Sequence, residues 1–253
     1  MPIKLWAVFI MLIGFTVLPA YADIGCAVED RSCLLAQLGK YADSIPEDNW
    51  RDQTYREMAK LLAADNNLDE ALDLIDKVKN PDTRAMTIRG IGMAAADLNL
   101  PKERLAELFT KLRAAAEKIE HEPSYAIALT YIGMAQAYAR DDEGAMATAA
   151  SMSNAALRNK AYGETAEVQA ERNDLQAVLK SLAAIDDPGY KDKELGIITK
   201  IFTNQNQPAP ALAIAGQITN AYERSQALLF ILSHKPETLA QADNNQIKAE
   251  PSP

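Results

Sequence analysis

Two histidines, two cysteines and a few paired carboxylates are the residues of this 253-residue chain most able to do chemistry. His121 and His234 are too few for a metal site or a proton relay, and no H-E-x-x-H puts two of them on one helical face. Both fall at the ends of predicted helices, where an imidazole in a last turn interacts well with the helix dipole. Cys26 and Cys33 lack the C-x-x-C spacing and βαβ setting of a redox pair. A local disulfide suits them better, closing a short loop and contributing a few kcal/mol at most. The runs Asp141-Asp142-Glu143 and Asp186-Asp187 could serve acid–base work or calcium. They sit at turns, where Asp caps helices, and no D-x-[DN]-x-[DN]-G loop surrounds them. Gly90-Ile91-Gly92 lacks a third glycine and lies inside a helical pattern, so it reads as packing. There is no G-x-S-x-G, P-loop or G-x-G-x-x-G. No catalytic residue, cofactor or metal site is therefore expected, and the chain does not read as an enzyme.

The elements that would position any site are helices. Apolar residues make up 48% of the chain and aromatics 6%, and glycines and prolines are modest at 11 and 12, a balance that favours close helix packing over strands. The net charge of -9 sets the chain against phosphate backbones and anionic membrane surfaces.

Residues 1–22 have the three parts of a secretory signal. Lys4 gives the positive start, Leu5 to Leu18 is almost purely apolar, and Ala20-Tyr21-Ala22 is an A-x-A cleavage site before Asp23. The apolar run is shorter than the roughly 20 residues a bilayer span needs. The expected product is exported, periplasmic or secreted, with no stable membrane insertion after cleavage. Lys4 is the only charge removed, so the net charge would move from -9 to -10. Export puts Cys26 and Cys33 in an oxidising compartment, as a disulfide requires.

From Trp50 onward the sequence repeats. A marker residue opens each unit at Arg51, Arg84, Tyr125, Arg158, Lys191 and Arg224, spaced by 33 residues except for one gap of 41. Seven positions on stand Met58, Ile91, Ile132, Thr165, Ile198 and Ile231. Small residues follow at Ala59, Gly92, Gly133, Ala166 and Thr199, with Leu232 breaking the column. Ala71, Ala145, Val178 and Ala211 hold a later position, and Val78, Ile119, Met152, Ile185 and Ile218 close the units. Each unit reads as two antiparallel helices, A and B, whose apolar face is buried only by its neighbours. Asn67 is a candidate N-cap for the first helix B. The eight extra residues of the second unit fit into its helix B, predicted over Lys102–Ile119 and about 12 Å longer than the others at 1.5 Å per residue, hence projecting.

These columns resemble the tetratricopeptide repeat. Unit three shows its pattern as Leu129, Ile132-Gly133, Ala145, Ala149 and Met152, and unit one as Tyr55, Met58-Ala59, Ala71, Ile75 and Val78. The resemblance covers about residues 50–235. It departs in its period of 33, in a missing glycine at the A–B turn and in an early or absent closing proline. It implies an all-α, right-handed superhelix, or solenoid, of about five and a half hairpins, with a groove lined by helix A. By resemblance, the groove-lining residues are Gln53, Arg56, Lys60, Met86, Arg89, Met93, Ile127, Thr130, Met134, Tyr138, Lys160, Glu167, Lys193 and Lys200. Cations and methionines are frequent among them, which suits an acidic or carboxylate-ended peptide with apolar anchors.

The domain plan is a signal peptide over 1–22, a capping segment over 23–49 with Cys26 and Cys33, the repeat domain over 50–243 and a disordered tail over 244–253. Cys33 to Ile45 reads as a capping helix, and a last helix A runs from Arg224 to Ser233. Ile231 and Leu232 are expected to cover the last full hairpin, with one more turn over 237–243. The function implied is a protein–protein adaptor. The rivals are a structural subunit of a cell-envelope complex and a small-ligand binder or enzyme on the same scaffold. An open groove favours the first, an exposed apolar edge on the long helix the second, and an enclosed pocket with convergent carboxylates the third.

Overall fold

The computed structural model describes residues 25–234; the signal peptide expected over 1–22, the turn expected over 237–243 and the tail expected over 244–253 lie outside them. Among the described residues there are twelve helices and no strand. They are α1 (Arg31–Ser44), α2 (Asp48–Ala64), α3 (Leu68–Lys77), α4 (Pro81–Ala96), α5 (Lys102–Glu117) and α6 (Glu122–Tyr138), followed by α7 (Asp142–Ala150), α8 (Ala155–Glu171), α9 (Leu175–Ala183), α10 (Pro188–Asn204), α11 (Pro208–Ala215) and α12 (Ala221–Ser233). No helix among these residues is long and apolar enough to cross a membrane.

Contacts run between neighbours. The even-numbered helices from α2 to α12 are the A helices, and each packs on the next. Each odd-numbered helix from α3 to α11 packs on the A helix before it and the one after. The repeat columns are the core: Met58, Ile91, Ile132, Ala71, Ala145, Val178 and Ala211 are all buried, as are the closing residues from Val78 to Ile218. Gly92 is small for a specific reason. A Cβ there would stand 2.8 Å from Ala135 Cβ, so it sets the approach of α4 to the next A helix as well as to its own B helix. Leu232, which breaks the small column, is 79% exposed and covers nothing, because no described helix follows α12; Ile231 alone packs on the core.

The turn from A to B is built on a column that carries no glycine. Asn66, Asn99, Arg140, Asn173 and Asn206 all have positive φ, between 50° and 64°. Asn tolerates this left-handed region better than most side chains. After α2, α6, α8 and α10 the next amide bonds back five residues, Asn67 N–H to Leu62, Asp141 to Gln136, Asp174 to Gln169 and Gln207 to Phe202, at 2.8–2.9 Å. This closes a Schellman motif over each helix end. Arg140 is the one non-Asn in the column and is exposed. Arg140→Asn should therefore raise stability by about 0.5–1 kcal/mol, read as a higher urea midpoint at unchanged slope.

The basic marker holds the opposite turn. The guanidiniums of Arg51, Arg84, Arg158 and Arg224 donate to the carbonyls of Ile45, Val78, Met152 and Ile218, six residues back in each case. One position later, a buried acceptor reaches forward to the following B–A turn. Asp52 accepts from the amides of Lys79 and Asn80, Asn159 from Asp186, and Asp192 from Thr219 and Asn220. Asp141 and Asp187 cap α7 and α10, accepting from the amides of Gly144 and Tyr190. Asn67 stands at the N-cap of α3 without a side-chain bond.

The eight extra residues of unit two do fall on α5, which has 16 residues against 8–10 in the other B helices. They do not project free. Lys111 pairs with Asp69 and Lys118 with Asp76, so the second half of α5 runs beside α3. The first half reaches past the start of α3 and packs toward α6, keeping Leu105, Leu108 and Phe109 buried. His121 is also relocated: it is the N-cap residue of α6, with Nδ1 2.6 Å from Ser124 Oγ, and not a last-turn residue of α5. Cys26 and Cys33 are joined by a disulfide, Cα to Cα 5.7 Å, at the start of α1.

Candidate functional site

Counted from the unit marker, positions two, five, six and nine of each A helix form one face. Contacts along it pass from one unit to the next. The Lys60 stem lies 3.5 Å from where a Cβ on Gly90 would stand, the Arg89 guanidinium lies over Tyr131 at 5.3 Å, and Lys200 Nζ lies 5.8 Å from the Phe230 ring. The last two are cation–π geometries, which hold a charged head over an aromatic ring.

Five of the residues expected in the groove meet in one place. Arg56 and Lys60 of α2 and Arg89 and Met93 of α4 line an open hollow of about 560 Å³, with Met86 beside them. Arg56 is held by Glu57 at 2.7 Å, and Arg89 Nε is buried with no hydrogen-bond partner. Gln53 is exposed on α2, outside the hollow, and the remaining expected residues are spread along α6 to α10. Met134 is half-buried against Ala137, Ala145 and Val168. Tyr138 is partly exposed and donates to Glu171 at 3.2 Å, beside a separate hollow along the start of α5. Lys160 faces Glu164 at 3.6 Å. Thr130 holds position five of α6, in register with Arg56 and Arg89, yet offers no exposed group. It is buried, and its hydroxyl donates to the Ala126 carbonyl, so it has nothing to offer a partner.

The α8–α10 end of this face is acidic. Glu164 and Glu167 of α8 stand beside Glu194 of α10, which is 2% exposed and whose Oε2 has no hydrogen-bond partner. Gly163 makes the room: a Cβ there would lie 2.8 Å from the Glu194 carboxyl carbon. Burial, and next the hydrogen bond to Glu194 and its charge, push the Glu167 carboxyl up to about 8. Burial also raises Glu164, with Lys160 opposing and Glu194 reinforcing. The Tyr190 hydroxyl is pushed well above its ordinary value by burial and then by Glu194. A buried pair of carboxyls in contact is stable when they share one proton.

That arrangement sets a pH dependence. A carboxyl raised above its unfolded value holds its proton better when folded. Its stabilisation is complete below the ordinary value of 4.5 and is lost as pH rises toward 8. Glu167→Gln keeps a hydrogen-bond donor and removes the titration. The variant should match the parent at pH 4 and exceed it at pH 8 by on the order of 1 kcal/mol, a figure kept small because the carboxyl is partly hydrated. Urea midpoints at the two pH values measure it.

The acidic cluster was missed from sequence because each Glu reads alone as a solvated helix residue. One signal does mark it. Three positions after the marker, the other units carry Thr54, Thr87, Ala128, Ala161 and Ala227, and only α10 puts a charge there. Among the described residues no three His, Cys, Asp or Glu are arranged to hold a metal ion. No protein-family model, curated protein or solved structure matches the chain.

Proposed function

We propose that this chain is an exported protein–protein adaptor, a tetratricopeptide-like solenoid whose A-helix face is a groove for a peptide or partner helix. The carrying observation is the open hollow in which Arg56, Lys60 and Arg89 stand beside Met86 and Met93, with Arg89 Nε unpartnered. Cationic heads set among flexible apolar side chains suit an acidic or carboxylate-ended segment with apolar anchors. Neighbour-only packing and buried repeat columns support the solenoid. Support for the rival envelope-subunit reading is weaker, since α5 carries no exposed large apolar side chain; the densest group of these lies on α12, at Tyr222, Leu228, Leu229 and Leu232.

In-cell crosslinking of the tagged chain tests the proposal, run beside an Arg56→Glu/Arg89→Glu variant that retains the parent's helical signal and melting behaviour. A protein captured by the parent and lost from the variant supports the groove. Equal capture by both overturns it.

A further inference from the structure

The last A helix departs from the others at three positions. Two residues before the marker those helices carry Asn49, Asp82, Pro123, Ala156 and Gly189, where α12 carries Tyr222. Five residues after it they carry Arg56, Arg89, Thr130, Gly163 and Gly196, where α12 carries Leu229. Eight after it the small column gives way to Leu232. Each small or polar residue is replaced by a large apolar one, and Tyr222, Leu229 and Leu232 are 69%, 58% and 79% exposed. Single exposed apolar side chains are ordinary on a protein surface, but three on one side of one helix mark a contact surface.

Leu232 also bears on what covers that surface. A Cβ on Gly133, its equivalent in the third unit, would stand 3.6 Å from the Ala145 carbonyl oxygen of the unit's own helix B. A leucine at this position leaves no room for a helix B of the same kind. The far end of the stack offers no match, since α1 packs over α2 and exposes one large apolar side chain, Tyr41. The surface does match itself. Tyr222, Ser225, Leu229 and Leu232 are spaced by three, four and three residues, as in a coiled-coil seam, on the side of α12 away from buried Ala227. Tyr222 and Leu232 stand five residues either side of Ala227, and Ser225 and Leu229 stand two. A second α12 laid antiparallel about a two-fold axis at that level sets Tyr222 against Leu232 and small Ser225 against large Leu229, each pair occurring twice. Charge agrees with this. Glu223 and Arg224 are the only charges on α12 and cancel, so two copies of a chain of net charge -9 meet there with little repulsion.

We propose that two copies of this chain pair through α12, antiparallel, with Tyr222, Ser225, Leu229 and Leu232 as the seam. The pairing stands apart from the groove reading and holds whatever the groove binds. With 13 residues, α12 is about 20 Å long at 1.5 Å per residue. One helix pair of that length is a small interface, so a Kd on the order of 10 μM is expected.

Sedimentation equilibrium of the purified full chain, from roughly 1 μM to 1 mM, measures it. The parent should pass from monomer to dimer and stop there, because a two-fold contact closes. Leu229→Glu/Leu232→Glu should raise the Kd roughly hundredfold or more, since it buries charges without partners. Leu212→Glu, at an apolar residue exposed on α11 outside the seam, should leave the Kd unchanged. Cysteine pairing reads the register without relying on a disruptive variant. Ser225→Cys and Leu229→Cys should form a disulfide when the two single variants are mixed and oxidised, and little when each is oxidised alone, because like residues are offset by about 6 Å along the helices. A parent that stays monomeric to 1 mM would overturn the proposal. In that case a Leu232→Cys thiol that resists a maleimide would give the surface to this chain's own last residues, and one that reacts freely would leave it to a different protein. A dimer indifferent to Leu229→Glu/Leu232→Glu, or one that crosslinks like with like, would overturn it as well.

Discussion

Phe202→Ala should cost about 3–5 kcal/mol and should not melt the protein evenly. Phe202 is fully buried on α10, among the largest of the side chains that see no solvent. Its removal leaves a cavity between α10 and its neighbours. In a chain whose helices touch only neighbours, that loss stays local, because stability is a sum of unit terms and the interfaces between them. Hydrogen exchange should therefore show protection falling over α9 to α12 and holding over α2 to α6. Uniform loss across all twelve helices would mean one global core and would count against the solenoid.

The second large effect is at Asp192. Its carboxylate is 6% exposed and accepts three hydrogen bonds, from Thr219 N–H at 2.8 Å, Asn220 N–H at 2.7 Å and the Thr219 hydroxyl at 2.6 Å. Together they fasten α10 to the turn that launches α12. Asp192→Ala should cost about 3 kcal/mol, since bonds to a charged group contribute roughly 1.5–3 each and water recovers part of that at the exposed turn. Asp192→Asn should cost less. Asn159 already does this work one unit earlier, its amide oxygen accepting from Asp186 N–H at 3.1 Å. Burial acts to raise the Asp192 carboxyl, but the bonds from Thr219 and Asn220 outweigh it and hold the group below its ordinary value of 3.8. Its contribution is thus complete above that value and lost as pH falls through the folded one. Acid unfolding followed by circular dichroism should show the Asn variant losing less stability than the parent between about pH 5 and pH 2.

What could be read from the sequence was whatever recurs. The markers, the small column and the closing apolar residues each return after 33 residues, and a contact made between equivalent neighbours has to recur with them. The function of the marker was hidden because its partner is a backbone carbonyl, which every residue has. The A–B turn was half visible. Asn66, Asn99, Asn173 and Asn206 keep the period, but a search for glycine passes over them. Features made by two units that are not alike could not be read at all. Glu164 and Glu194 are 30 residues apart, off the period, and converge only because α8 lies on α10 and Gly163 clears the space. The resting place of the first half of α5 depends likewise on the one unit whose helix B is longer.

That unequal unit would also show itself under load. Held at its two ends and pulled, a chain bound only to its neighbours gives way one hairpin at a time. Each ordinary unit frees 33 residues, about 110 Å of extended chain at roughly 3.4 Å per residue. The unit with α5 frees 41, about 140 Å. A single molecule would thus unreel in near-equal lengths broken by one long one, and the place of that long release in the series would tell from which end the unravelling began.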